Sequence, residues 1–354
     1  MSNSRPPKSR VTILPSPDFA WDPTTRPPIA GLRPYREQTY RLEPEVVGSK
    51  FVVHNYGHGG AGITLSWGCA HEVVDVITAH GVAATDSVAV LGAGVMGLTA
   101  ATLLLARNLN VTVYAKEFPP QTTSNKAGGQ WAPSMVNHRD SAQFTRILRR
   151  AFREHEARGA EFGVSARENY TLVRASNFES CPRDVIPPPT AFAHLPFAHL
   201  KSSGFGYATL LVEPPIFLAK MQDDLKAANV AFNPREFHDL GEISGLPESI
   251  VVNCTGLGSK AICKDKLMHP IKGQLVLLPP QPNLQYLFAG HHGYLFPRKD
   301  CVVVGGSEEM DATDPTPDMN ICRAILANMK GLFTGGATMA LEPELVPSWA
   351  MRSK

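Results

Sequence analysis

Short apolar runs, each closed by glycine or a polar turn, set the rhythm of this chain. Val88–Leu91 and Val111–Tyr114 are continuous apolar stretches of strand length, and FVVHNY (Phe51–Tyr56) reads as a third short buried strand. After the third, Leu65, Cys69, Val73, Val76 and Ile77 fall near helical spacing, which predicts a helix from about Gly62 to Ala79. A second helix is expected from about Val95 to Arg107, between the other two strands, so that residues 87–117 form one strand–helix–strand unit. Further along, residues 140–162 look helical and charged, PPIFLAKMQDDLKAANV reads as an amphipathic helix opened by proline, and ESIVVNCTG as another buried strand. GQLVLL, QYLFAG and HGYLFPRKDCVVVGG read as antiparallel strands, and residues 316–333 as a closing helix. Residues 181–200 read as loop, and the proline-rich residues 1–30 as an extended arm.

Composition narrows the class without changing this picture. The chain has 354 residues, 43% hydrophobic and 19% charged, which suggests two domains or one elaborated α/β unit with ample apolar surface for a core. A net charge of +2 with scattered Lys and Arg leaves no nucleic-acid footprint. No apolar run approaches the roughly 20 residues that span a bilayer, and the N-terminal stretch has no continuous apolar segment of the kind that marks a signal peptide. The six cysteines (Cys69, Cys181, Cys254, Cys263, Cys301, Cys322) lack CxxC spacing, so reduced thiols and a cytoplasmic location are expected. No metal-ligand cluster is expected either.

The chemistry concentrates in glycine-rich loops. GAGVMG fits GxGxxG after a strand and before a helix, the context that gives this spacing meaning. Gly92 allows the tight turn, Gly94 lets backbone approach a pyrophosphate, and Gly97 lets helix and strand pack. Val95 and Met96 open the helix, whose unpaired N–H groups favour an anion. Lys116 and Glu117 end the second strand at the distance where an acid holds a ribose hydroxyl; a solvated surface acid is the competing reading of Glu117. In PPQTTSNKAGGQW, Thr122, Thr123 and Ser124 offer hydroxyls, and Gly128, Gly129 and Gln130 can bring backbone N–H groups against a planar ring. Trp131 reads as packing rather than chemistry. A second glycine-rich stretch, HNYGHGGAGITLSWG (His54–Gly68), precedes the first.

VLGAGVMGL, VYAKEFPPQTTSNKAGGQW, VVNCTG with PIKGQ, GYLFPRKDCVVVGG, GLRPYREQTYRLE and HNYGHGGAGITLSWGCA together resemble the FAD-dependent D-amino acid oxidases. The resemblance implies a Rossmann-like FAD-binding domain (31–135 and 205–262), a second, antiparallel-sheet substrate domain (136–204 and 263–354) and the arm at 1–30. It implies non-covalent FAD, a D-amino acid and oxygen as small-molecule partners, no nucleic acid or membrane partner, and leaves a homodimer open. By the same resemblance Arg33 clamps the substrate carboxylate, the Tyr294 hydroxyl touches it, and the Gly60 carbonyl accepts a hydrogen bond from the amine. Gly59, Gly60, Gly62, Ile63 and Thr64 open the helix that faces the flavin pyrimidine, and Gly129 with Gln130 faces the other edge. His54 and His58 suggest a base or a metal ligand, but hydride transfer requires neither.

Two departures stand out. A second pocket tyrosine of the family is replaced by Gly290, with His291 and His292 beside it, which puts substrate range in question. The order is also changed. In the family GxGxxG begins the chain and the GLRP and HNYGHGG segments come late, so this sequence reads as a circular permutation with the old ends joined near His80–Asp86 and with Lys354 beside the Gly31 strand. Besides oxidation of neutral D-amino acids, three readings remain: a flavin oxidase for D-aspartate, glycine or a secondary amine; a dehydrogenase feeding a quinone or protein acceptor; and a flavin-binding protein without catalysis.

Overall fold

The computed structural model describes residues 12–81, 83, 86–290 and 293–336. His291, His292, Lys354 and parts of the N-terminal arm and of the His80–Asp86 linker therefore lie outside the described residues.

Two sheets organise the chain. The smaller has six strands in the spatial order Arg41–Val47, Lys50–Tyr56, Ile250–Asn253, Ser87–Leu91, Asn110–Ala115, Ala231–Pro234. Its first pair is antiparallel and the rest are parallel. The continuous apolar runs follow from this. Val52, Val53, Val88–Leu91 and Ile250–Val252 are buried because helices cover the sheet. The predicted helices form at Gly62–Ala79 and Val95–Leu105 and pack on each other, and the first also packs on Ser141–Arg158. Asp140 starts the last of these by accepting from the Ala142 and Gln143 N–H groups at 2.9 Å.

The larger sheet has nine strands. Eight run in the order Ile29–Arg36, Met268–Leu278, Val302–Gly305, Gly293–Pro297, Tyr286–Gly290, Val164–Thr171, Gly204–Val212, Thr190–Phe192, and Glu309–Met310 pairs beside Met268–Leu278. All pairings are antiparallel except that between Tyr286–Gly290 and Val164–Thr171. Two segments expected with the FAD-binding unit, Ile29–Arg36 and Gly204–Val212, pair into the larger sheet. The helix Ser141–Arg158, expected on the substrate side, packs instead against Gly62–Ala79. The described part of the arm is docked. Leu14 N–H donates to Pro196 O at 2.7 Å, Tyr286 Oη donates to Pro15 O at 2.8 Å, and Phe19 is buried against Phe333.

Candidate functional site

A cavity of about 640 Å3 lies between the two sheets. At one end it is lined by Lys116, Glu117, Arg235 and Glu236, at the other by Arg33, Tyr294 and Glu308. Between them come both glycine-rich loops, although Gly60 and Gly92 are far apart in their local sequence context: one opens the helix after Lys50–Tyr56, the other the turn after Ser87–Leu91. They meet because those strands flank Ile250–Asn253 and end on the same side of a parallel sheet.

The dinucleotide loop has the conformation its sequence predicts. Gly92 holds φ +103°, where a side chain is strained, and a Cβ there would also strike Cys254 O. Val95 N–H, at the helix start, donates to Ser124 Oγ at 3.0 Å, so the serine hydroxyl sits where an anion would be bound. Gly94, Val95, Met96, Thr122, Thr123 and Ser124 all line the cavity, as do Gly59, Gly60, Gly62, Ile63, Gly128, Gly129 and Gln130. Lys116 pairs with Glu236 at 2.8 Å, and Glu117 is exposed at the cavity edge.

Two residues expected on the cofactor do not line the cavity. A Cβ on Gly97 would collide with Gly92 O, so its role is the close packing of helix on strand. Thr64 is buried, its Oγ1 donates to Ala132 O at 2.8 Å, and Ala132 N–H donates back at 3.1 Å. It ties the helix start to the loop after Gln130 instead of reaching a ligand. Trp131 is fully buried and packs edge-on against Phe152 at 5.0 Å.

The wall at the Arg33 end comes from one face of the larger sheet. Arg33 lies on its first strand, and Nη1 donates to Ser307 O at 3.2 Å. Its guanidinium occupies the space a side chain on Gly273 would take. The Tyr294 hydroxyl accepts from Arg33; burial raises its pKa while the guanidinium opposes the rise, so it stays protonated at neutral pH. Tyr294 stacks on Phe296 with centroids 4.5 Å apart, and Gly128 is kept bare by both rings. Among the described residues, a Cβ on Gly290 would meet only Phe288, at an ordinary 3.7 Å.

The histidines are otherwise engaged. His54 Nε2 meets Glu45 Oε2 at 2.9 Å and Nδ1 meets Asn253 Nδ2 at 3.2 Å, beside the smaller sheet. His58 lines the cavity but stacks on Tyr40, and burial lowers its pKa to about 3. Among the described residues no group of three or more His, Cys, Asp or Glu is placed to hold a metal ion.

Sequence reasoning missed Gly273 and Ser307, which shape and hold Arg33, and Asn55 and Asn169, two fully buried amides on the cavity wall. Asn55 Oδ1 and Asn169 Nδ2 have no hydrogen-bond partner in the structure. Only the HNY context flagged the first; nothing in the polar strand around the second marks it.

The cavity suits an extended dinucleotide. It runs past a helix N-terminus, hydroxyls and bare glycine backbone, and its buried Asn55 oxygen requires a donor. Comparison with known proteins agrees. A family model described as FAD dependent oxidoreductase matches residues 87–353. A D-aspartate oxidase from Homo sapiens is 28% identical over 286 residues, 76% of this chain and 80% of that protein. A D-amino-acid oxidase from Rubrobacter xylanophilus is 28% identical over 265 residues (69% and 76%), and one from Streptomyces coelicolor 28% over 251 residues (69% and 77%). Among solved structures, an L-amino acid deaminase from Proteus vulgaris, with its specific insertion sequence deleted, superposes with a TM-score of 0.52 at 15% identity, covering 71% of this chain and 75% of that one. At that identity the likeness is one of fold.

Proposed function

Because the chain belongs to the FAD-dependent oxidoreductase family, we propose that it is a D-amino acid oxidase that yields an imino acid, which water converts to a keto acid and ammonia. The observation that carries this reading is the Arg33–Tyr294 pair on the wall of the same cavity as both glycine-rich loops. Arg33 presents a planar fork to the substrate carboxylate, and the protonated Tyr294 hydroxyl donates to it. The Gly60 carbonyl takes the amine. With two groups held and Cα–H aimed across the cavity at Gly128–Gln130, one enantiomer alone places its side chain in open space. Bound FAD supplies the hydride acceptor and the route of two electrons to oxygen, which leaves as hydrogen peroxide.

Gly94–Met96 and Thr122–Ser124 would hold the pyrophosphate, Lys116 and Glu117 the ribose end, and backbone N–H groups of Gly59–Ile63 and Gly128–Gln130 the ring. We read the attachment as non-covalent. Of the lining residues, His58 is stacked and buried, and the Cys254 thiol is pushed up to about 12 by burial, so neither offers a nucleophile. All six cysteines are free thiols, which fits the cytoplasm, and no described helix is long and apolar enough to cross a membrane. A homodimer is the assembly to test by sedimentation.

The order of segments is that of a circular permutation. What supports this is that the family match starts at residue 87, on the dinucleotide strand, while Arg41–Val47 and Lys50–Tyr56, which precede it, extend the same sheet beyond Ile250–Asn253. The deciding experiment for function is a visible spectrum of the purified protein and its bleaching by D- and L-alanine and methionine under argon. Flavin bands bleached by the D-forms alone support the reading; a protein that binds no FAD, or is bleached equally by L-forms, overturns it.

A further inference from the structure

On the sheet face that carries Tyr294, the strand register continues away from Arg33. Tyr294 lies opposite Ala289, and two residues before Ala289, Leu287 lies opposite Asn169. Residues two apart share a face, and Ala289, Asn169 and Thr171 all line the cavity. A substrate held at its carboxylate by Arg33 and Tyr294 extends its side chain along this row.

The row ends in a pair of amides. Gln130 Nε2 donates to Asn169 Oδ1 at 2.8 Å. Asn169 is fully buried and its Nδ2 has no partner. Thr171, on the same strand, is occupied, since Oγ1 donates to Val173 O at 3.0 Å. Two amides bonded to each other leave one N–H and one carbonyl outward whichever way both are turned. The Asn169 Nδ2 side of that edge is buried and lacks its complement until an acceptor meets it, and a carboxamide can also donate to the half-buried Gln130 side.

We propose that Gln130 and Asn169 form a polar subsite for the substrate side chain, selecting D-amino acids that end in a primary carboxamide over apolar ones of the same shape. This rests on the oxidase reading above. A carboxamide meets the outward N–H with its oxygen and the outward carbonyl with its own N–H. An isobutyl group of equal size leaves the buried Asn169 Nδ2 unsatisfied. A site that hydrogen-bonds its substrate rejects the analogue that cannot.

The test compares near-isosteric pairs on the FAD-loaded enzyme, D-asparagine with D-leucine and D-glutamine with D-methionine, by peroxide release. The parent is expected to favour a carboxamide in at least one pair by on the order of 10- to 100-fold in kcat/KM. Asn169→Ala and Gln130→Leu are each expected to erase that preference, mainly through KM. FAD affinity, read by quenching of flavin fluorescence, is expected to stay within about twofold. Gln130 is only half-buried, so Gln130→Leu carries the test alone if Asn169→Ala does not fold. A parent that prefers the apolar member of both pairs overturns the subsite. So does an equal loss on both members, or weakened FAD binding, which would assign the amides to the cofactor. A parent that bleaches with no D-amino acid removes the oxidase reading and the subsite together, an outcome distinct from one that oxidises D-alanine without the preference.

Discussion

Gly273→Ala is expected to cripple substrate binding without altering any group that touches substrate. A methyl at this position would fall inside the Arg33 guanidinium. The backbone cannot retreat easily, because Gly273 pairs with Gly31 on one side and the same strand is held at Leu275 by Gly305 on the other. The side chain yields instead. Restoring van der Waals distance takes a shift of about 1 Å, enough to break the bond from Nη1 to Ser307 O and to turn the fork off the carboxylate. Misplacement on that scale costs on the order of 100-fold, or about 2.7 kcal/mol. The assay is steady-state peroxide release over a range of D-alanine, with bound FAD counted by absorbance in the same samples. KM is expected to rise and kcat/KM to fall by about 30- to 300-fold, at unchanged FAD content and with a melting temperature within about 5 °C of the parent. Parent-like kcat/KM would mean that Arg33 has room the structure denies it, and that its position does not set carboxylate binding.

Three further outcomes are expected. Arg33→Ala leaves the carboxylate without its charged partner, which costs on the order of 2–5 kcal/mol; kcat/KM then falls about 30-fold to several thousand-fold with FAD retained, Arg33→Lys recovers only part, and a near-parent Arg33→Ala would place the carboxylate elsewhere. Burial lowers His155 to about 4 and His58 to about 3, so between those values and the ordinary 6.5 the unfolded chain binds more protons, and stability present above about pH 6.5 is lost as pH falls; a urea midpoint of the holoenzyme that is no lower at pH 5 than at pH 7.5 would contradict this. A chain rearranged to begin at Ser87 and to continue from residue 354 into residues 1–81 through a short linker is expected to bind FAD and oxidise D-alanine within about tenfold of the parent, and insoluble or flavin-free protein from this rearrangement would count against the permutation.

What the sequence displayed depends on which face each strand turns to solvent or cavity. The central strands of the smaller sheet, Lys50–Tyr56, Ile250–Asn253 and Ser87–Leu91, are covered by helices, so their apolar runs are nearly unbroken and were legible together with Gly62–Ala79 and Val95–Leu105. Val164–Thr171 and Ile29–Arg36 present polar or bare positions to the cavity, namely Asn169 and Thr171 in one and Gly31 and Arg33 in the other. That use erases the apolar run; the first was not read as a strand, and the second only through the family resemblance. Arg33 and Tyr294 could be placed from their motifs. The partnership of Gln130 with Asn169 could not, since 39 residues separate them and Gln130 reaches that strand through a bridge to Leu211 on the neighbouring one. The packing role of Gly97 was legible from its place in GxGxxG, whereas Thr64 sits inside a recognisable motif but ties the helix start to Ala132, a distinction that spacing does not carry.

The position of Ile250–Asn253 between Lys50–Tyr56 and Ser87–Leu91 has a consequence for biogenesis. Those outer strands leave the ribosome long before the one that belongs between them; at about 5–20 residues per second the wait is on the order of 10–40 s. Joined by the helix Gly62–Ala79, they could meanwhile zip directly to each other as an ordinary strand–helix–strand unit. That premature pairing would close the slot that Ile250–Asn253 must enter, and with it the meeting of Gly60 and Gly92. Newly made chains therefore face a choice between a quick local partner and a delayed correct one, and their yield should depend on translation speed and on chaperones that keep an open strand edge occupied.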